Sequence, residues 1–310
     1  MNGVIIIDKP AGKTSHDVVA IVKKALGAKK AGHTGTLDPL ATGVLPVCIN
    51  EGTKLAQFFT KDNKEYRAVM LLGVKTDTFD VDGSILEEKE LHVSMEDIEK
   101  ALTSLTGKIE QSPPPYSAVK YQGRPLYKWA RKGKHIEVAP RSVEVYRIVL
   151  EEVDLPYVTF KVACSTGTYI RSLCMEAGEI LDCGACMARL RRIKSGAFSE
   201  DDALSIANIE EKGGKEALLE RVIPLADVLP ELAAVHVDEA MAGKMRQGYQ
   251  PSVAALLPYD IPFLAAGDMV RFIRDRSLIA IAKMLHPSSL LPSLNRQEQA
   301  AKVMRVFNSD

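Results

Sequence analysis

The segment that most constrains the fold runs from Gly32 to Pro46 and reads GHTGTLDPLATGVLP. Three glycines and two prolines in 15 residues are incompatible with a regular helix, and proline lacks the N–H that a central strand donates. The sequence therefore predicts an irregular loop of mostly apolar or small residues, with Asp38 as its one acidic side chain. Since aspartate before proline commonly starts a turn, Asp38 is either a turn former or a reactive carboxylate held by the loop.

Hydrophobic periodicity elsewhere indicates strands and helices in no regular order. Strands are predicted at four apolar runs: Val4–Ile7, Tyr66–Leu72, Val143–Val153 and Val158–Cys164. Helices are predicted at three runs of helical spacing: Ser15–Leu26, Ser94–Leu105 and Ile170–Leu181. Because the elements do not alternate as in a parallel doubly wound sheet, the predicted fold class is α+β, a mixed and mainly antiparallel sheet with flanking helices.

The length of the chain and a change in its pattern predict two domains. At roughly 150 residues per domain, 310 residues suggest about two. The pattern changes near Pro224–Leu232, after which one short helix and three short strands are predicted. We therefore expect one domain over residues 1–231 and a small, mostly-β domain over residues 232–310.

Composition excludes several classes of protein. No apolar run approaches the ~18 residues that span a bilayer, and the start MNGVIIIDKP lacks the basic region of a signal peptide. Five cysteines without framework spacing favour reduced thiols, so we expect a cytoplasmic chain with no membrane partner. Cys183 and Cys186 have the spacing of metal ligands, but zinc takes about four ligands and no second pair is evident, so no metal is expected.

Charge is unevenly distributed along a chain with 40 basic and 40 acidic residues. Residues 113–197 hold 14 basic and 8 acidic groups, whereas residues 65–112 hold 5 and 11. Such segregation is typical of a solvated surface or of a positive face that binds a polyanion.

Two local segments are rich in cations. Tyr116–Lys134 interleaves aromatic and cationic residues, which suits RNA but is also compatible with an amphipathic helix over Pro125–Lys132. Four cations within Arg189–Lys194 are predicted to contact phosphates.

Seven motifs occur in a fixed order between residue 3 and about residue 198. They are GVIIIDKPAGKTSHD, AGHTGTLDPLATGVLP, NKEYRA, TDTFDVDG, SPPPYSAVKYQGRPLYKWARKG, CSTGTYIRSL and LRRIKSGAF. Together they resemble the TruB family of tRNA pseudouridine synthases. Residues 232–310 resemble, more weakly, a PUA domain, which is a small RNA-binding pseudobarrel.

The resemblance implies an activity and three catalytic residues. Members of this family break the N1–C1′ bond of uridine 55 in the tRNA T loop, turn the base and form a C5–C1′ bond, without a cofactor. By resemblance Asp38 is the essential carboxylate, Arg171 is its cationic partner and Tyr66 stacks on the uracil. Attack on the sugar, attack on the base and abstraction of a sugar proton all remain open as the role of Asp38.

The resemblance also implies contacts with the RNA. The substrate-binding positions it predicts are His33, Tyr66, Tyr169, Leu190, Lys9, Lys120 and Arg191. His33 matches the residue that fills the space left when the base is extracted, and Tyr169 and Leu190 match residues that line the pocket. Taken alone, each is an ordinary structural residue. The implied partner is tRNA, which a monomer would bind at the T stem-loop and, through the C-terminal domain, at the acceptor stem.

Two other functions remain as alternatives. One is a guide-RNA-dependent synthase, although such relatives usually carry a longer N-terminal extension, and a first strand at Val4 favours a stand-alone enzyme. The other is a non-catalytic RNA-binding or RNA-folding protein. Asp38 discriminates against the latter, because binding alone does not need this carboxylate.

Overall fold

The computed structural model describes residues 1–59, 62–134, 136–210 and 214–308. The strands are β1 (Gly3–Lys9), β2 (Ala31–His33), β3 (Thr42–Ile49), β4 (Lys64–Leu72), β5 (Val74–Thr76), β6 (Ile85–Glu88), β7 (Gly107–Gln111), β8 (Lys120–Tyr121), β9 (Arg124–Pro125), β10 (Arg141–Asp154), β11 (Tyr157–Cys164), β12 (Ala185–Ser195), β13 (Phe198–Ser199), β14 (Leu204–Ser205), β15 (Ile223–Pro224), β16 (Ala233–His236), β17 (Met269–Arg274), β18 (Ser277–Met284) and β19 (Ala301–Val306). The α-helices are α1 (Ser15–Leu26), α2 (Ala56–Phe59), α3 (Met95–Ser104), α4 (Leu126–Ala130), α5 (Ile170–Ile180), α6 (Ile206–Glu210), α7 (Gly214–Glu220), α8 (Glu239–Arg246) and α9 (Val253–Leu256), and 3₁₀ turns span Asn50–Leu55, Glu200–Asp202 and Ser288–Ser293.

One large sheet dominates the part of the chain before β16. Within the described ranges it contains 11 strands, in the order β14-β1-β3-β12-β4-β11-β10-β7, with β2, β13 and β15 paired to its members. The pairs β1·β14 and β3·β12 are parallel and the other pairs of this sheet are antiparallel. The predicted fold class, a mixed and mainly antiparallel sheet with flanking helices, is therefore confirmed.

Helix α1 begins and ends where the sequence predicts. Thr14 accepts a hydrogen bond from the N–H of Asp17, and the Asp17 carboxylate in turn accepts one from the N–H of Thr14. Gly27 adopts the left-handed conformation, with φ of 62°, and terminates the helix. The apolar face of α1 packs in one core cluster with Ile5 and Ile7 of β1. This helix therefore fixes the start of the chain against the large sheet.

The prediction that no central strand forms within Gly32–Pro46 is wrong, because β3 begins at Thr42 and lies between β1 and β12. The strand continues through Pro46: this residue pairs with Ile6 of β1 on one side, and on the other its carbonyl accepts a hydrogen bond from the N–H of Thr34 at 3.2 Å, although proline has no N–H to donate. Gly43 has φ of 100°, and a Cβ there would lie 2.2 Å from the carbonyl oxygen of Arg192. Glycine thus permits the close approach of β3 to β12. The irregular loop that remains spans residues 34–41.

A second sheet, in the order β16-β17-β18-β19, forms after residue 232. It has its own apolar core, and another buried cluster joins its Ile273, Leu278 and Phe307 to Val4 and Ile6 of β1. Strand β15 is the last strand of the large sheet and β16 is the first of the small one. The division at residues 231 and 232 stays a prediction. Among the described residues, every helix is too short or too polar to cross a bilayer.

Candidate active site

The loop that carries Asp38 is fixed by hydrogen bonds to the start of the chain. Ser15 Oγ accepts from the N–H of Leu37 at 2.8 Å and donates to its carbonyl at 3.1 Å. The N–H of Gly12 donates to the carbonyl of Pro39 at 2.9 Å. Asp38 itself accepts through its carbonyl from the N–H of Ala41. The turn at Asp-Pro and the reactive carboxylate are therefore compatible readings of the same residue.

The side chain of Lys9 is fully buried, which disfavours the predicted contact with RNA. Its ammonium donates to the carbonyl oxygens of Pro10, Pro39 and Ala41, at 2.9, 3.1 and 2.6 Å. Burial lowers the pKa of this ammonium from 10.5 to about 8, although the Asp38 carboxylate acts in the opposite direction. Lys9 is thus a positioning residue that fixes the Asp38 loop from the protein interior.

The lowered pKa of Lys9 predicts a dependence of stability on pH. Between pH 8 and 10.5 the unfolded chain holds the proton on this residue and the folded chain does not, so folding becomes more favourable as the pH rises. We expect the wild type to gain up to about 2 kcal/mol relative to Lys9→Met between roughly pH 7.5 and pH 9.5. Urea unfolding of both proteins at both pH values measures the difference, and equal pH slopes would contradict it.

Asp38 is paired with Arg171 across two separate elements. Nε of Arg171, at the start of α5, lies 2.9 Å from Oδ2 of Asp38, at an angle that makes the contact an ion pair rather than an aligned hydrogen bond. The Arg171 side chain is 4% exposed, whereas that of Asp38 is 35% exposed and so remains accessible. The pairing predicted from the resemblance is therefore present, with the carboxylate on the solvent side.

Three groups for which the sequence predicted no contact with Arg171 fix the orientation of its side chain. Its Nη1 donates to the carbonyl of Thr78 at 3.0 Å and its Nη2 to that of Tyr116 at 2.9 Å. Oδ2 of Asp80 lies 3.6 Å from Nη1. Burial raises the pKa of Asp80, and hydrogen bonding from the Thr78 hydroxyl and the Arg171 charge oppose that shift. The motif TDTFDVDG thus forms a structured turn that contacts this guanidinium through Thr78 and Asp80.

Asp38 and Arg171 lie at a cavity of about 270 Å³ that also contacts the predicted pocket residues Tyr66, Tyr169 and Leu190. Tyr66 on β4 is buried, and burial raises the pKa of its phenol. Tyr169 immediately precedes α5, and burial raises its pKa as well. Pockets for drug-sized ligands are usually ~300–1,000 Å³, so this cavity lies near the small end of that range.

The remaining predicted RNA contacts lie outside this cavity. His33 is half-buried at the end of β2, and its Nδ1 is buried with no hydrogen-bond partner among the described residues. Lys120 is exposed on the short strand β8. Nearby, the guanidinium of Arg124 and the ammonium of Lys134 lie 5.9 and 6.0 Å from the ring of Trp129. The basic and aromatic segment therefore presents cations at the surface while Trp129 is half-buried.

The four cations of Arg189–Lys194 do not form one patch. Arg191 donates to both carboxylate oxygens of Asp8, at 2.9 and 3.0 Å, and to Glu200 at 2.7 Å. Its charge is therefore already balanced, which disfavours the predicted phosphate contact. Arg192 is 1% exposed and lines the cavity. Its neighbour in the cavity is Lys64, which is 6% exposed and belongs to the motif NKEYRA, although no role was predicted for it.

The cysteines give no sign of a metal site. Cys48, Cys164, Cys174, Cys183 and Cys186 are buried free thiols, and burial raises the pKa of each. Across the described ranges, no group of three or more histidine, cysteine or acidic side chains converges as metal ligands would.

Sequence comparisons identify the family. Residues 23–170 match the TruB family pseudouridylate synthase N-terminal domain, and residues 171–229 match the tRNA pseudouridylate synthase B C-terminal domain. The chain is 53% identical over 309 residues to tRNA pseudouridine synthase B of Syntrophus aciditrophicus, covering 99% of both chains. It is 40% identical over 309 residues to tRNA pseudouridine synthase B of Geobacter sulfurreducens, covering 99% of this chain and 100% of that protein.

The fold is also that of solved structures. A chain of the crystal structure of a Cbf5-Nop10-Gar1 complex superposes with a TM-score of 0.74 at 30% identity, covering 99% of this chain and 85% of that one. The protein is thus a pseudouridine synthase. Within that class the chain belongs to the TruB family, which confirms the resemblance carried by its motifs.

Proposed function

We propose that this chain isomerises uridine 55 in the T loop of tRNA to pseudouridine, with Asp38 as the essential carboxylate. The observation that carries the proposal is the accessible Asp38 carboxylate, paired with a buried arginine at the edge of a small cavity. The similarity to tRNA pseudouridine synthases B over the whole chain supports tRNA as the substrate. No cofactor enters the reaction, because breaking N1–C1′ and forming C5–C1′ involve no net redox change.

The chemistry needs a carboxylate that is ionised and held in place before the substrate arrives. Arg171 supplies a fixed positive charge beside Asp38, and the two carbonyls that hold Arg171 prevent its guanidinium from swinging away. A reactive group held at the correct distance and angle avoids the entropic cost of finding that geometry during the reaction. Asp38 would act from there on the sugar or the base of the bound uridine.

The target base must leave its stack to reach the cavity. Extraction of a base costs a few kcal/mol, which contacts within the pocket must offset. Tyr66 would stack on the uracil, with Tyr169 and Leu190 contacting it from other sides of the cavity. His33, half-buried near the start of the Asp38 loop, would fill the space that the base vacates in the RNA loop.

The rest of the tRNA would contact exposed cations. Lys120, Arg124 and Lys128 are exposed on β8, β9 and α4, close in sequence to Tyr116, whose carbonyl holds Arg171. Residues 232–310 would act as a PUA-like domain that contacts the acceptor stem of the same tRNA. The protein would do this in the cytoplasm as a monomer.

Tritium release tests the activity and its position in the tRNA. The hydrogen at C5 must leave when C5 bonds to the sugar, so unmodified tRNA labelled at uridine C5 reports the reaction directly. We expect one equivalent of release per tRNA, and none above background when position 55 is changed to cytidine. Release that continues unchanged with that substrate would move the target to another uridine.

The same assay separates the proposal from its alternatives. We expect full activity from the purified chain alone, without guide RNA or other proteins. Activity that appears only when guide RNA and partner proteins are added would favour a guide-dependent synthase. Tight tRNA binding by folded protein with no release under either condition would favour an RNA-binding protein.

A further inference from the structure

Two buried cations line the cavity without a carboxylate partner. Lys64 on β4 is 6% exposed and Arg192 on β12 is 1% exposed. Neither nitrogen group lies within 4.0 Å of an acidic side chain in the part of the chain that the structure describes. Buried charges are ordinarily paired, because removing a charge from water is costly. This pair is therefore an exception that needs an explanation.

Backbone carbonyls fix these two cations but do not neutralise them. Arg192 donates from Nε to the carbonyl of Val44 at 2.7 Å and from Nη2 to that of Gly35 at 3.2 Å. Lys64 donates to the carbonyl of Asp62 at 2.8 Å, which uses one of its three N–H bonds. Both side chains therefore keep donor capacity that the protein backbone does not take up.

The two side chains converge at one place beside the catalytic loop. A Cβ on Gly35 would lie 3.5 Å from Nη1 of Arg192 and 3.9 Å from Cε of Lys64. Burial lowers the pKa of Lys64 to about 8, the Asp62 carboxylate opposes this shift, and the Arg192 charge adds to it. The cations thus repel each other across a position next to residues 36–38 of the cavity wall.

The other charges in the cavity do not balance this pair. Its charged lining residues are Asp38, Lys64, Arg171 and Arg192, and the single carboxylate is already paired with Arg171. An electropositive wall of this kind is stabilised when a bound anion enters it. Uracil and ribose carry no charge at neutral pH, so the anions that an RNA substrate brings are its phosphodiester groups.

We propose that Lys64 and Arg192 form an anion subsite that binds a phosphodiester group flanking the extracted uridine. This inference rests on the proposed function. A nucleotide that leaves its stack carries its own phosphates towards the cavity, and a fixed guanidinium beside an ammonium suits a phosphate with two free oxygens. The subsite would therefore help to offset the cost of extraction, independently of which base enters the pocket.

The test removes the charge either from the protein subsite or from the phosphodiester of the RNA, and compares the two losses of kcat/KM. The substrates are a T stem-loop RNA and versions with an uncharged methylphosphonate at the linkage 5′ or 3′ of the target uridine. Wild type should lose roughly 10- to 100-fold in kcat/KM with one of the neutral linkages, the range for hydrogen bonds to charged groups. Lys64→Gln should lose a similar amount with native RNA, but much less than wild type when the linkage is changed.

Controls keep the result interpretable. A neutral linkage three nucleotides away, and Lys100→Gln on the distant helix α3, should each leave kcat/KM within about twofold of the unmodified value. Arg192→Gln, checked for folding by its urea midpoint, should show the same coupling as Lys64→Gln. The proposal is overturned if the penalty of both neutral linkages is as large in Lys64→Gln and Arg192→Gln as in wild type. Absence of wild-type activity on the native stem-loop would instead defeat the proposed function.

Discussion

Replacement of Asp38 by asparagine is expected to reduce turnover by at least about 10³-fold while tRNA affinity changes less than about threefold. Asparagine has nearly the same size and shape, so the loop fixed by Ser15 and Lys9 should keep its conformation. What the variant removes is the negative charge and one carboxylate oxygen at the cavity. Single-turnover tritium release measures the chemical step, and filter binding of the same tRNA measures affinity.

A matched control for this variant is Asp82→Asn. Asp82 is an exposed carboxylate on the turn that holds Arg171, so its charge change resembles that of Asp38→Asn without touching the cavity. We expect Asp82→Asn to retain activity within about threefold. Turnover by Asp38→Asn comparable to that of Asp82→Asn would remove Asp38 from the catalytic role.

Some of the site could be predicted from the sequence, because its residues lie in long motifs. The segments around Asp38 and Arg171 were recognised by their resemblance to a family, and the two side chains do form an ion pair 2.9 Å apart. Hydrophobic periodicity likewise predicted α1 and β4 to within about two residues. Local patterns of this kind are set by neighbouring residues in the chain, which a sequence displays directly.

Other features depend on distant residues that no local pattern reveals. Pro46 argues against a central strand, yet pairing with β1 and a hydrogen bond from the N–H of Thr34 to its carbonyl keep it within β3. Lys9 belongs to a motif that suggests an exposed cation, but its ammonium donates hydrogen bonds inside the fold to the carbonyls of Pro39 and Ala41, about thirty residues later. In both cases contacts between distant parts of the chain determine the local structure and the burial of the side chain, and local propensity does not reveal those contacts.

The position of Lys64 in the alternating pattern of β4 is a sequence signal for its burial. In β4 the residues Tyr66, Ala68 and Met70 alternate with more exposed ones and form the buried face of the strand. Lys64 is in phase with that face, two residues before Tyr66. A lysine in phase with the buried side of a strand is costly unless it has a function, which makes such positions worth testing in related chains.

Replacement of Arg171 by lysine is expected to reduce turnover by about 10²-fold without a comparable loss of tRNA affinity. An ammonium keeps the positive charge, but a single nitrogen cannot reach Asp38, the carbonyl of Thr78 and the carbonyl of Tyr116 at once. The variant keeps a positive charge beside Asp38 but loses the contacts that fix its position. It therefore tests whether turnover depends on the orientation of the Asp38 carboxylate as well as on the neighbouring charge. Single-turnover rates, tRNA affinity and urea unfolding should be measured on the same preparation.

Two further variants make the interpretation specific. Arg67→Lys, which changes an exposed arginine paired with Glu151 on the outer face of the same sheet, should leave turnover within about twofold. Arg171→Met removes the charge as well, leaving Asp80 buried without its cation, and should lower the free energy of unfolding by about 3 kcal/mol.

If Arg171→Lys turns over as fast as Arg67→Lys, charge alone suffices beside Asp38 and the fixed guanidinium geometry has no catalytic role. If it is slow but as stable as wild type, the loss lies in how Asp38 is held, because fold and charge are both retained.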